Sequence, residues 1–136
     1  MSAITDRGYD LAALGWDAQL AEAFTPHAAA GCVPGRIARA DRGQSFVALT
    51  EHGVVHASSA ARLVADATDA TALPAVGDWV ALDAAGELTF VVDVLPRRSA
   101  FVRGAAGAAS VPQVLAANID VAFVVVALSS WPNLRR

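Results

Sequence analysis

The stretch PGRIARADRGQSFVALTEHGVVHASSAARLV, residues 34–64, decides the fold. Its short runs of Ile, Val, Phe and Leu are interrupted by DRGQS at 41–45 and by EHG at 51–53, and such interruptions are typical of turns between antiparallel strands. The segments GDWVALD (77–83) and LTFVVDVL (88–95) form another hairpin around the turn AAGE. Five short strands with a long connection after the third predict a mainly β chain folded as a five-stranded OB-fold barrel, with an SH3-like barrel as the neighbouring alternative.

An amphipathic helix is predicted before the barrel. Leu11, Leu14 and Ala18 recur at three- or four-residue spacing within residues 8–24. Pro26 is expected to end this helix, because proline cannot donate a backbone hydrogen bond in a helix interior. We expect the apolar side of the helix to pack on the flank of the barrel.

The chain changes character after the barrel. Residues 97–117 are rich in Arg and then in Gly, Ala and Ser, and they have no hydrophobic period, which predicts a linker. The consecutive apolar residues 121–128 are typical of a central parallel strand that helices bury on both faces. We therefore expect an N-terminal helical extension (1–30), the barrel (31–96), the linker, and at 118–136 the first strand of an α/β domain whose remainder is missing.

The composition excludes several kinds of chemistry. All ten basic residues among the 136 are arginines. Without lysine, the chain has neither the GxxxxGK[ST] phosphate-binding loop nor a Schiff-base nucleophile. A single cysteine, Cys32, excludes an internal disulfide and a multi-cysteine zinc site. The sequence has no secretory signal and no apolar run of the roughly 18 residues that a membrane-spanning helix needs, so we expect a cytoplasmic protein without a membrane partner.

The arginines are unevenly distributed, although the net charge is −3. Residues 96–136 hold five arginines and one acidic residue, whereas residues 61–95 hold one arginine and six acidic residues. A phosphate backbone responds to such a local field rather than to the net charge. OB-folds bind single strands through strands 2–3 and the loops between strands 1–2 and 4–5, and the first of these loops contains Arg42. The candidate RNA contacts are Arg36, Arg39, Arg42, Arg97, Arg98 and Arg103.

Each group of arginines also has a structural explanation. The first group would equally suit an ordinary solvated strand face. In the second group the arginines flank Phe101, a pattern that suits phosphate contact with base stacking. Structural arginines at an interdomain hinge would explain that second group equally well.

Several segments, in this order, resemble one known family: LGWD (14–17), PGRI (34–37), LPAVGDWVAL (73–82), VLPRRSAF (94–101), QVLAANIDVAFVV (113–125) and NLRR (133–136). The chain resembles the N-terminal part of the bacterial ribosome small-subunit-dependent GTPase A family, whose members are circularly permuted GTPases that assist late assembly of the small ribosomal subunit. The resemblance covers nearly the whole chain. One departure is Gly104, because the family often has a basic residue at this position.

The resemblance implies an N-terminal OB-fold that docks on ribosomal RNA near the decoding region. It also implies a downstream GTPase domain with an NKxD motif and a P-loop, and a C-terminal zinc site; none of these motifs occurs in this sequence. We therefore expect no cofactor in this chain, with GTP, Mg²⁺ and zinc bound only by the downstream domains. The expected partners are small-subunit RNA and the protein's own GTPase domain. The alternative is a small β-barrel adaptor that binds protein rather than RNA, which the acidic segment 61–95 favours.

Overall fold

A computed structural model describes residues 7–104 and 111–127. Within these residues, one helix precedes the barrel strands in the chain and a second lies between the third and fourth strands. A single 3-10 turn, Ala70–Ala72, follows the second helix. The helices are α1 (Ala18–Ala29) and α2 (Ala61–Asp66), and the strands are β1 (Val33–Asp41), β2 (Ser45–Thr50), β3 (Gly53–Ser59), β4 (Trp79–Asp83), β5 (Thr89–Val94), β6 (Ala100–Arg103) and β7 (Gln113–Ala117).

The first five strands form a closed barrel in the order β1-β2-β3-β5-β4, with β4 returning to β1. All neighbours are antiparallel except β3 and β5, which are parallel. The long connection between β3 and β4 contains α2 and the 3-10 turn. This architecture confirms the predicted mainly β chain with a five-stranded OB-fold barrel and an N-terminal helix.

Strand β4 is buried on both of its faces, because it lies between two hydrophobic clusters. Val80 and Leu82 belong to the cluster inside the barrel, and each has no exposed surface. Trp79 and Ala81 point outward into a second cluster beneath α1. There the ring of Trp16 lies edge-on to the ring of Trp79, with 4.9 Å between the centroids. The prediction that the N-terminal helix packs on the barrel flank is confirmed.

The bounds of that helix differ from the prediction of 8–24. The helix begins after Asp17, whose carboxylate accepts a first-turn backbone N–H at 2.9 Å and therefore acts as the N-cap. Gly15 precedes it with a φ of +99°, which is incompatible with a continuous right-handed helix. Pro26 lies inside the helix rather than at its end. Proline fixes φ near the helical value, so the chain continues for one more turn at the cost of one hydrogen bond.

The segment 97–117, predicted as a linker, contains the antiparallel strands β6 and β7. Val114 and Ala117 of β7 form a small buried cluster with Ala75, from the loop before β4. The hairpin is therefore attached to the barrel. Its strands have no hydrophobic period in the sequence, so the sequence pattern does not predict them. The domain boundaries at 97 and 118 stay predictions.

The apolar run that follows is exposed in its described part. Residues 121–127 have neither helical nor strand structure, and the side chain of Phe123 is 90% exposed. The rest of the run and the NLRR segment lie outside the described residues. The assignment of 118–136 to a further domain stays a prediction.

Candidate nucleic-acid interface

A bulge in β1 determines which arginines share a face of the barrel. Strict alternation would place Arg39 on the face opposite Arg36. The register shifts between Ile37 and Arg39, so that Arg36 pairs with Leu49 and Arg39 pairs with Val47. Leu49 and Val47 alternate with the buried positions of β2 and therefore face outward. Because paired residues point to the same side, Arg36 and Arg39 both lie on the outer surface.

Two arginines at the β1–β2 hairpin present charge to solvent. The side chain of Arg39 is 63% exposed, and it donates from Nε and Nη2 to one oxygen of Asp41, at 3.2 and 3.0 Å. Such an exposed pair contributes at most about 1 kcal/mol, so a phosphate can compete for the guanidinium. Arg42 is exposed at the start of the turn, where Gly43 and Gln44 have φ values of +73° and +61°.

Arg36, in contrast, is engaged by the protein itself. Its Nε donates to the carbonyl of Gly77 at 3.2 Å, and its Nη2 donates to the carbonyl of Asn118 at 3.0 Å. Its Nη1 donates to the carbonyl of Leu14. The guanidinium also lies 5.9 Å from the centroid of the Trp79 ring. One side chain thus joins the N-terminal turn, the start of β4 and the residue after β7.

Arg97 is likewise engaged inside the protein. It forms a two-pronged pair with Asp78, in which Nε and Nη2 each lie 2.7 Å from a carboxylate oxygen. Arg97 also donates to the carbonyls of Thr71 and Leu73. Asp78 has no exposed side-chain surface and Arg97 only 18%. Hydrogen bonding to Asp78 raises the pKa of the Arg97 guanidinium above its ordinary value, so the charge is permanent.

Asn118 connects the hairpin to the barrel. It is buried and has a φ of +54°, a left-handed conformation that asparagine adopts more readily than most residues. Its side-chain N–H donates to the carbonyl of Gly77 at 3.0 Å, and its side-chain oxygen accepts the backbone N–H of Arg98 at 2.9 Å. The Arg98 side chain itself is 47% exposed and lies 3.7 Å from the Asp120 carboxylate.

Gly77 allows β7 to approach the barrel closely. Its φ is +89°, and a Cβ at this position would lie 2.0 Å from the carbonyl oxygen of Ala117. Its N–H donates to the carbonyl of Ile37 at 2.8 Å, while Ala117 donates to the carbonyl of Val76 at 2.8 Å. Only glycine fits this site, because any other residue would collide with backbone.

A polar cleft lies between the β1–β2 hairpin and the β6–β7 hairpin, next to one arginine of each predicted group. The cleft has a volume of about 200 Å³, with Asp41 and Gln44 on the barrel side and Gln113 on the hairpin side. Arg42 lies between Asp41 and Gln44 in the chain, and Arg103 is the exposed strand partner of Gln113. The tip of the β1–β2 hairpin and the β6–β7 hairpin therefore flank one surface.

The sequence interpretation did not find the groups that hold these arginines. Asp78 directly precedes β4, and its carboxylate accepts the N–H of Ala75 at 2.8 Å. Its pairing with Arg97 joins residues 19 positions apart and has no local signal. Asn118 was not singled out, although an asparagine directly after a strand is a residue type that favours left-handed backbone.

Among residues 7–104 and 111–127, His, Cys, Asp and Glu side chains nowhere gather in a group of three that could hold a metal ion. In the same part of the chain, neither helix has the length and apolar character to span a bilayer.

Curated proteins with the name small ribosomal subunit biogenesis GTPase RsgA match this chain. The protein from Streptomyces coelicolor is 43% identical over 126 residues, which cover 93% of this chain and 33% of the relative. The protein from Opitutus terrae is 41% identical over 136 residues, covering 93% of this chain and 37% of the relative. Over these residues the chain is similar to RsgA proteins. The resemblance stated from the sequence motifs is thus confirmed.

The matched RsgA proteins are longer than this chain. The protein from Streptomyces avermitilis, 40% identical over 128 residues, has 34% of its length covered. The chain therefore spans about a third of the length of these RsgA relatives. No protein-family model matches the chain, and no solved structure matches it.

Proposed function

We propose that this chain docks on RNA of the small ribosomal subunit, as the OB-fold part of a longer GTPase of the RsgA family. The observation that supports this proposal is that exposed arginines of two hairpins, Arg42 and Arg103, adjoin residues that line one cleft. The names of the relatives supply the ribosomal context, since they describe GTPases of small-subunit biogenesis. Exposed arginines neutralise phosphates and release their counterions.

The arginines divide into two roles under this proposal. Arg39, Arg42 and Arg103 contact phosphates, and Arg98 assists them with its half-exposed side chain. Arg36 and Arg97 direct their N–H groups to carbonyls and to Asp78, so they hold the hairpin against the barrel and leave few donors for a ligand. The contacts are electrostatic and position the domain without reading base sequence.

The GTPase activity belongs to the longer protein in this proposal. This chain contains no lysine, and a P-loop needs one to reach the terminal phosphates. Phosphate cradling, Mg²⁺ and zinc would be supplied by other domains, and this chain alone would not hydrolyse GTP. We place the protein in the cytoplasm, where ribosomal subunits are assembled. Release of phosphate from GTP by this chain would contradict this part of the proposal.

A gel-shift assay with small-subunit rRNA fragments tests the docking. We expect R39A, R42A and R103A each to weaken binding to all fragments by a similar factor, because a phosphate contact is independent of sequence. Arg62→Ala is the matched control, since it removes the same charge from a side chain on α2 that is 91% exposed. Equal effects of R62A and R42A would refute the assigned face.

A protein-binding adaptor is the second candidate. It is favoured by exposed carboxylates in the segment 61–95, where the side chains of Asp66 and Asp93 are 69% and 49% exposed. Under this alternative the chain would not shift rRNA fragments at any salt concentration, and a basic polypeptide would bind in their place. The same gel shift therefore separates the two candidates.

A further inference from the structure

A second groove adjoins the cleft, with which it shares Asp41 and Phe46, and lies next to the β4–β5 loop. Its volume is about 280 Å³, and it is bounded by the ends of β1, β2, β3 and β5. The parallel register pairs Ser58 of β3 with Phe90 of β5, and His56 of β3 pairs with Val47 of β2. The groove thus lies largely on paired strands of the sheet.

The groove exposes two apolar side chains to solvent. Leu88 is 69% exposed and Phe90 is 38% exposed, and both line the groove. The residues next to Phe90 in the chain include Val91, which fills the barrel interior, so Phe90 faces outward on the alternating strand. An exposed aromatic ring is a platform on which a nucleobase can stack.

The polar wall of the groove offers an acceptor. Asp41 lines it and receives both hydrogen bonds from Arg39 on the same oxygen, Oδ2. Among the described residues, its Oδ1 accepts no side-chain hydrogen bond. The ion pair offsets the negative charge of the carboxylate, and Nη1 of Arg39 makes no hydrogen bond within this pair. An acceptor beside an arginine suits a base amino group next to a phosphate.

We propose that this groove holds one unpaired nucleobase that carries an exocyclic amino group. The ring stacks on Phe90, the amino group donates to Oδ1 of Asp41, and the adjoining phosphate contacts Arg39. Uracil has no amino donor, whereas cytosine has the same size and does carry one. The groove therefore prefers cytidine to uridine. This inference rests on the proposed RNA docking and adds a ligand class to it.

Fluorescence anisotropy with labelled five-nucleotide RNAs, oligo(C) and oligo(U), tests the proposal. We expect oligo(C) to bind about tenfold more tightly than oligo(U), as a hydrogen bond to a charged group implies. Asp41→Ala should abolish this preference. Phe90→Ala should weaken oligo(C) binding about tenfold or more, the effect of losing one base stack. Tyr9→Ala is the matched control, because Tyr9 is 37% exposed and lies at the opposite end of β2.

The outcomes separate this inference from the proposed function. Equal binding of the two RNAs, together with equal effects of F90A and Y9A, would overturn the base site. If R42A still weakened rRNA binding in that case, the docking proposal would stand without the base site. Failure of every RNA to bind would overturn both proposals.

Discussion

Replacing Arg97 by alanine removes the partner of a carboxylate that has no contact with solvent. The side chain of Asp78 is 0% exposed, and its oxygens receive two hydrogen bonds from Arg97 at 2.7 Å and one from the N–H of Ala75 at 2.8 Å. In R97A only the Ala75 bond remains. Breaking a buried pair from one side costs about 3–5 kcal/mol of unfolding free energy. We expect R97A to lie at the upper end, because the carbonyls of Thr71 and Leu73 also lose a donor.

The opposite substitution, Asp78→Ala, should lower the free energy of unfolding by less than R97A does. It leaves a guanidinium that is 18% exposed, that keeps both carbonyl acceptors and that can recruit water. We expect a loss of about 2–3 kcal/mol, near the value of one or two hydrogen bonds to a charged group. The two variants should therefore differ by at least about 1 kcal/mol, with R97A the less stable.

Urea unfolding followed by tryptophan fluorescence measures these differences, since Trp79 is buried beneath α1 and its ring lies against that of Trp16. The double variant R97A/D78A should be more stable than R97A, because it removes the unpaired carboxylate. If R97A is unfolded in water, Arg97→Lys provides an intermediate measurement that keeps the charge but loses the two-pronged geometry. A loss below about 1 kcal/mol in R97A, or a larger loss in D78A, would refute the reasoning.

Three further predictions concern Gly77 and Asn118, where the β6–β7 hairpin meets the barrel, and the thiol of Cys32. Gly77→Ala should lower the free energy of unfolding by about 3 kcal/mol or more. Gly31→Ala, at a φ of +83° and with no atom within 4 Å of the added Cβ, should lower it by about 1–2 kcal/mol. Equal melting temperatures of the two variants would show that the Ala117 carbonyl does not obstruct a side chain at position 77. Asn118→Ala should lower the free energy of unfolding by about 2 kcal/mol, because two side-chain hydrogen bonds are lost. Asn118→Gly should be more stable than Asn118→Ala by about 1 kcal/mol, because glycine tolerates the positive φ. The opposite order of the two variants in urea unfolding would contradict this. Burial raises the pKa of the Cys32 thiol, so at pH 8 iodoacetamide should alkylate it more slowly than a cysteine in a short peptide, and equal rates would argue against that shift.

The barrel was predictable from the sequence because its strands carry local signals. Short Val- and Ile-rich runs end at turn-forming residues, and the hairpin turn at 42–44 contains Gly43 in the left-handed conformation that such turns require. The helix start was misplaced because the apolar spacing continues through residues 11–15, where Gly15 and the Asp17 cap interrupt it. Capping chemistry thus decided the boundary that periodicity could not.

The roles of the arginines could not be predicted, because their partners are distant in the chain. Arg36 reaches the carbonyl of Asn118, which is 82 residues away, and the acceptor is backbone that any residue type provides. The β6–β7 hairpin was missed for the same reason, since a close approach at Gly77 and one small buried cluster attach it to the barrel. The sequence shows where the arginines are grouped along the chain. Only the fold shows which of them form internal hydrogen bonds and which are exposed.

The salt dependence of binding to a small-subunit rRNA fragment measures how many phosphates the chain contacts. We expect log affinity to fall linearly with log salt concentration, with each phosphate contact contributing about 0.7–0.9 to the slope. The triple variant R39A/R42A/R103A should therefore have a slope that is shallower by about 2–3, while R62A changes it little. A triple variant whose slope equals that of the native chain would contradict the assigned interface.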